Sequence, residues 1–413
     1  MVNGKKKILI VGSDAVSSSL AKKLGQLDEV EEIFVAPSNG IESDIYKNAD
    51  IREDDLTGLL KFVLDNDIDL TIPVSDKSLK ADIVSFFQDN GQHIFGPSAE
   101  SCKIALNKSY GKRFLYKIHA QTAKFGVFDK AQTAMDWLSG AVFPVLIRCS
   151  ESNSHGDRLV CPTISLAGEF LENLFSKNET DILIEEFVYG HNFTVYYITD
   201  GYSAVPVCAV SNYKFTSDGG GGLLTNGTGC YAPDYRISGT VFSRLDNIVK
   251  NLLCTLDKKK SPYMGILGID CTLTEEDKFV VNEIKPFLQN FDAAAVLRLI
   301  DDDLLRIFYA CTDGLFADEY TQIKTNDFAS VSAVVYSRQY NKIIKGFDMI
   351  DDISDVDFIN TRKNQAGEYL TDIGECFVLT RTSSTLSRAR DYLYDDLNQL
   401  KFDGLRYRRD ICK

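Results

Sequence analysis

The stretch KILIVGSDAVSSSLAKKLGQLDEVEEIFVA, residues 7–36, decides the class of fold. Lys7 to Val11 is a short β-rich apolar run ending at a glycine turn, Val16 to Leu27 carries apolar residues at helical spacing, and Glu32 to Ala36 reads as a second strand. The pattern recurs downstream. Leu56 to Asp65 reads as a helix, Leu70 to Val74 as a strand, Leu79 to Asn90 as a helix and His93 to Phe95 as another strand. Strands alternating with helices predict a parallel sheet covered on both faces, and Gly96-Pro97 punctuates the end of that unit.

A chain of 413 residues exceeds one ordinary core, so several units are expected. We divide it into residues 1–97, an N-terminal α/β substrate domain; 98–317, a middle domain with a lid insert at about 121–185; and 318–413, a β-rich C-terminal domain. In the last of these, Ala329 to Tyr336, Val356 to Asn360 and Glu375 to Arg381 read as strands, and Thr385 to about Leu397 as a helix.

The balance of 44% apolar and 25% charged residues is that of a globular protein, and excludes a disordered or collagen-like chain. Acidic residues outnumber basic ones, 59 to 45, a field that repels phosphate backbones and anionic lipid. Nucleic acid and membrane are therefore not expected as partners. The basic start, Met1 to Ile10, has too short an apolar run for export, and no stretch reaches the length of a membrane span. Ten cysteines without a Cys-x-x-Cys pair suggest reduced thiols in a cytoplasm rather than zinc or disulfides.

Two candidate strands, Ile266 to Leu273 and Lys278 to Ile284, flank the polar turn Thr274-Glu-Glu-Asp277; a hairpin would bring Asp270 and Glu283 together as hard oxygen donors suited to Mg²⁺. Lys108 precedes a helix, where amide dipoles favour anions, and Arg148 ends an apolar strand with a planar, forked guanidinium.

Several ordered stretches resemble the phosphoribosylamine–glycine ligase family of the ATP-grasp superfamily. They are Ile33-Phe-Val-Ala-Pro-Ser-Asn-Gly40, Ile94-Phe-Gly-Pro-Ser-Ala99, Ile184-Glu-Glu-Phe-Val-Tyr-Gly190, Asn226-Gly-Thr-Gly-Cys-Tyr-Ala-Pro233, Glu283-Ile-Lys-Pro286 and Phe402-Asp-Gly-Leu-Arg-Tyr-Arg-Arg-Asp-Ile411. The resemblance implies an open parallel α/β domain, an ATP-grasp domain with a lid and a C-terminal β-rich α+β domain. It implies ATP with Mg²⁺ or Mn²⁺ as cofactors, and a monomer or homodimer acting on small molecules. The implied reaction activates glycine as an acyl phosphate, which the amine of phosphoribosylamine attacks.

By the same resemblance Lys108 and Arg148 meet ATP phosphates, Glu185, Glu186, Phe187 and Val188 form the adenine hinge, and His191 contacts ribose. Asp218, Gly227 and Gly229 belong to the substrate side, Asp270 and Glu283 to the metal, and Glu283 with Arg148 to catalysis. Departures accompany it. Lys285 stands where the family has a metal-binding asparagine, and Phe287 where an arginine reaches phosphate. The turn Gly12-Ser-Asp-Ala-Val16 lacks the family's Gly-Gly-Arg-Glu-His run, and Ser150 to Asp157 lacks the lid glycines and lysine, with Gly219 to Gly222 as another source of flexible amides. These leave open a ligase with a different carboxylate and amine, or a catalytically inactive nucleotide-binding homologue.

Overall fold

The computed structural model describes residues 5–38, 43–151, 157–275, 277–350 and 352–413. Its first sheet is parallel, in the order Lys47–Asn48, Val30–Ala36, Lys6–Val11, Leu70–Pro73. The apolar run of Lys6–Val11 serves two cores at once: Ile8 and Ile10 point to one, Leu9 and Val11 to the other, all fully buried. Helix Ala15–Leu24 covers the first face and helices Leu56–Asp65 and Ile83–Asp89 the second, as the alternation of strands and helices predicts. Asp14 caps the first helix by accepting from the backbone N–H groups of Val16 and Ser17.

Two local expectations are corrected. The helix expected over Leu79 to Asn90 is two helices, Asp76–Lys80 and Ile83–Asp89, broken at Asp82, which adopts φ 60°. Its carboxylate accepts the Ala99 N–H at 2.8 Å, and aspartate tolerates the left-handed conformation that this tie requires. His93 to Phe95 is not a strand but a single parallel bridge, Thr71 to Ile94.

The second sheet is antiparallel and crosses the molecule. From one edge it runs Lys278–Lys285, Tyr263–Glu275, His191–Gly201, Ala204–Ser217, Gly221–Ala232, Ala329–Ser337, Gly374–Ser383 and Val356–Phe358, with Leu405–Arg406 also pairing Ala329–Ser337. The C-terminal strands thus continue the central sheet through the pairing of Gly221–Ala232 with Ala329–Ser337. Helix Gly239–Lys258 packs behind it, burying Val241, Leu245, Val249, Leu252 and Leu256 at helical spacing.

A separate four-stranded sheet spans residues 125–186, ordered Phe125–Phe128, Ile182–Glu186, Val145–Cys149, Arg158–Cys161, and backed by helices Ala131–Leu138 and Ile164–Ser176. The lid loop between its last two strands falls partly on residues 152–156, outside the described residues. Among the described residues no helix is long and apolar enough to cross a membrane, and the ten cysteines are free thiols.

Across the sheet junction, a Cβ at Gly229 would lie 2.5 Å from the Ser332 carbonyl oxygen and 2.3 Å from Ile411 Cδ1. Gly229→Ala is therefore expected to destabilise the fold by about 2 kcal/mol or more, read as a lower denaturant midpoint; an unchanged midpoint would show that the junction yields.

Candidate functional site

The hairpin reading is borne out: Tyr263–Glu275 and Lys278–Lys285 pair antiparallel with Asp270 opposite Glu283. Both carboxylates are held by cations. Glu283 accepts from Arg148 Nη1 at 2.8 Å, lies 3.4 Å from Lys108 Nζ and is paired with the Lys285 ammonium. Asp270 meets Lys214 Nζ at 2.5 Å and the Asn282 amide at 2.9 Å.

Lys108 stands first in helix Lys108–Lys117, whose cap Asn107 accepts from the Tyr110 N–H at 2.8 Å. One turn on, Lys112 is buried against Glu185 Oε1 at 2.6 Å, Thr122 Oγ1 at 2.8 Å and the Asn282 carbonyl at 2.7 Å. Arg148, from the lid strand, reaches Glu185 Oε2 and Glu283 Oε2, each at 2.8 Å. It thereby ties the lid sheet to the central sheet.

These contacts set the protonation states. Burial would raise the Glu283 carboxyl, but Lys108, Lys285 and Arg148 hold it well below the usual range. Glu185 is likewise lowered by Lys112 and Arg148 against the opposing effect of burial. Burial pulls down the ammonium of Lys108, whereas Glu283 lifts that of Lys285 despite burial.

One cavity is walled by Arg148, Arg158, Glu185, Lys214, Glu283 and Lys285 together with Glu186, Phe187 and Val188. Lys285 also lines a neighbouring cavity of about 350 Å³, with Lys108, Gly227, Asp14, Asp76 and Glu375. Lys285 therefore stands where the two meet.

The remaining expected residues lie on these cavity walls or away from them. The backbone N–H groups of Glu186 and Phe187 bond to the carbonyls of Lys124 and Pro144, both at 2.9 Å, so neither offers a donor to a base. His191 is paired with Asp234 and faces an adjoining cavity. Asp218 is exposed and accepts the Arg409 N–H at 2.8 Å, which pins the C-terminal segment. Gly229 packs against Ile411, outside both cavity walls. Gly227 lines the second cavity beside Phe291, and Phe287 is buried in the core. Lys112, Arg158, Lys214 and Asn282 were missed by sequence reasoning. For Lys112 a signal existed: it lies one helical turn after Lys108, on the same face.

A parallel α/β unit, a lid sheet and an antiparallel sheet enclosing a cation-rich cleft match a known arrangement. Family models described as "Phosphoribosylglycinamide synthetase, N domain" and "Phosphoribosylglycinamide synthetase, ATP-grasp (A) domain" match residues 6–105 and 106–286. The chain belongs to this family of ATP-grasp ligases, as a divergent member.

Phosphoribosylamine–glycine ligase of Clostridium acetobutylicum is 27% identical over 416 residues, covering 98% of this chain and 99% of that one. The Lactococcus lactis enzyme of the same name is 28% identical, with 98% of each chain covered. Among solved structures, phosphoribosylamine–glycine ligase from Thermotoga maritima superposes with a TM-score of 0.82 at 18% identity, over 98% of this chain and 100% of that one. The biotin carboxylase domain of Hydrogenobacter thermophilus 2-oxoglutarate carboxylase, solved with MgADP and bicarbonate, gives 0.70 at 12% identity, over 97% and 91%.

ATP-grasp enzymes use ATP and Mg²⁺ generally. Here the donor set does not fit a pair of protein-held ions: Asp270 and Glu283 each carry an ammonium, and among the described residues no group of three or more His, Cys, Asp or Glu converges.

Burial, with the charge of Asp14 adding to it, pushes the Glu375 carboxyl up to about 7. A raised acid favours the folded state while protonated; that stability is full below about 4.5 and is lost as pH rises through about 7. Glu375→Gln should therefore match the parent in acid and unfold at a progressively higher temperature up to pH 8, a gain of at most about 3 kcal/mol. Parallel melting curves across that range would refute the raised value.

Proposed function

We propose that this chain is an ATP-dependent carboxylate–amine ligase working through an acyl phosphate, with the relatives' pair, glycine and phosphoribosylamine, as its substrates. The observation that supports this most is one cleft in which Lys108, Arg148 and Lys285 converge on Glu283 beside the hinge segment.

A carboxylate oxygen attacks the terminal phosphorus of ATP, the bond to the bridging oxygen breaks, and ADP leaves. The amine nitrogen then attacks the acyl carbon, phosphate departs, and the nitrogen gives up a proton. Converting a poor leaving group into phosphate is what ATP supplies. In this reading Lys108, Arg148 and Lys285 balance the charge that builds on the phosphoryl oxygens. Glu283 positions all three cations, since it contacts each of them. Glu185 to Val188 border the base, and Gly227 and the second cavity receive the amine. The lid strands, joined to the central sheet through Arg148, exclude water from the acyl phosphate. A cytoplasmic setting accords with ten free thiols.

One observation favours a second reading in which the amine differs. Asp14, Glu53, Asp76 and Glu375 line the second cavity, and Lys77, its remaining cation besides Lys108 and Lys285, lies 2.7 Å from Glu53. Burial, aided by Asp76 and Glu53, pushes Asp14 up to about 6. Such a wall accepts an ammonium more readily than a sugar phosphate.

Release of ADP should require both a carboxylic acid and an amine. Glycine with phosphoribosylamine is the first pair to assay, and phosphate-free amines with glycine the second. No release with any pair would end the ligase reading. Glu283→Gln is expected to abolish turnover. It also leaves three cations without their shared anion, so a stability loss of about 3–5 kcal/mol is expected as well; wild-type turnover by the variant would remove Glu283 from its role.

A further inference from the structure

The cleft holds more positive charge than its carboxylates neutralise. Among the described residues Arg148, Arg158, Lys214 and Lys285 line the cavity, and Lys108 and Lys112 stand beside and behind it; with Glu185, Glu283 and, behind the wall, Asp270, the network holds six cations against three carboxylates. Glu186, also on the wall, is engaged by Lys124 at 3.4 Å. The excess of three is about the charge of a nucleoside diphosphate without metal, and close to that of a triphosphate.

Arg158 makes the excess tangible. It lies directly opposite Arg148 in the lid hairpin, like charges across a strand pair, and its buried Nε and Nη2 have no protein partner. Two guanidiniums so placed repel unless an anion lies between them.

The carboxylates that would hold a divalent ion are meanwhile committed. Lys214 occupies Asp270, and Lys285, with only 6% of its side chain exposed, occupies Glu283. An ammonium cannot ligate Mg²⁺, but it supplies positive charge at a fixed point, with no ion to recruit.

Resting on the ligase reading above, we propose that this chain binds its adenine nucleotide without a divalent cation, the ammonium of Lys285 taking the charge-balancing place of an ion and Arg158 with Arg148 clasping the phosphates from the lid.

The test is ADP binding by calorimetry on the full chain, in excess EDTA and in excess MgCl₂. The parent is expected to show Kd values within about threefold of each other in the two media. An affinity at least about tenfold weaker in EDTA would overturn the proposal. Lys285→Asn, which restores an oxygen donor and removes the charge, should weaken binding about tenfold in EDTA and recover it with Mg²⁺. A variant that is folded by circular dichroism and binds like the parent in both media would also overturn it. The parent comparison needs no variant, so a misfolded Lys285→Asn leaves the test intact. Absence of ADP binding in both media would instead sink the ligase reading itself, whereas binding that needs Mg²⁺ sinks only this proposal.

Discussion

The buried carboxylate of Glu283 is the point on which the rest of the structure converges. It sits at the end of an edge strand of the central sheet, and three elements send cations to it: a helix start through Lys108, the lid through Arg148, and its own strand through Lys285. Each of those cations is desolvated, and a desolvated charge is tolerable only where an opposite charge is fixed beside it. Glu283 therefore does structural and electrostatic duty together. It joins lid to sheet while keeping positive charge concentrated in the cleft.

Arg148 shows how that concentration is sustained. With Glu185 on one side and Glu283 on the other, the guanidinium is held permanently charged, its tendency to ionise raised despite burial. Lys112, behind it, shares Glu185. The wall nearest Glu186 to Val188 is thus rich in cations, whereas the neighbouring cavity is bordered by Asp14, Asp76 and Glu375. Lys285 lines both. A molecule bridging the two would be anionic at one end and tolerant of positive charge at the other, the polarity of ATP beside an amine.

The larger frame holds these walls apart. Ser18 and Lys22 on the first helix reach Asp357 at 2.6 and 2.7 Å, so the N-terminal unit is fastened to the far edge of the sheet. One apolar core runs from Ile8 and Ile10 through Tyr196 and Ile198 to Val334. The N-terminal sheet and the central sheet therefore share a packed interior, which fixes the second cavity between them.

Much of this frame was legible along the chain because short-range rules govern it. Apolar periodicity marks Lys6–Val11, Leu56–Asp65 and Ala329–Ser337, and the polar turn at Thr274 to Asp277 marks the hairpin, whereas a bulge in its register sets Asp270 opposite Glu283 rather than Asn282. Other features depend on groups far apart in sequence. Lys214 reaches Asp270 across 56 residues, Arg148 reaches Glu283 across 135, and Asp218 accepts the Arg409 N–H across 191. The break at Asp82 follows from a bond to Ala99, not from its neighbours. The sequence by itself determined the α/β alternation of the N-terminal unit and the hairpin that carries the two acids. Which cation each acid keeps was decided only by the tertiary structure, because burial makes a charge choose its partner by distance in space.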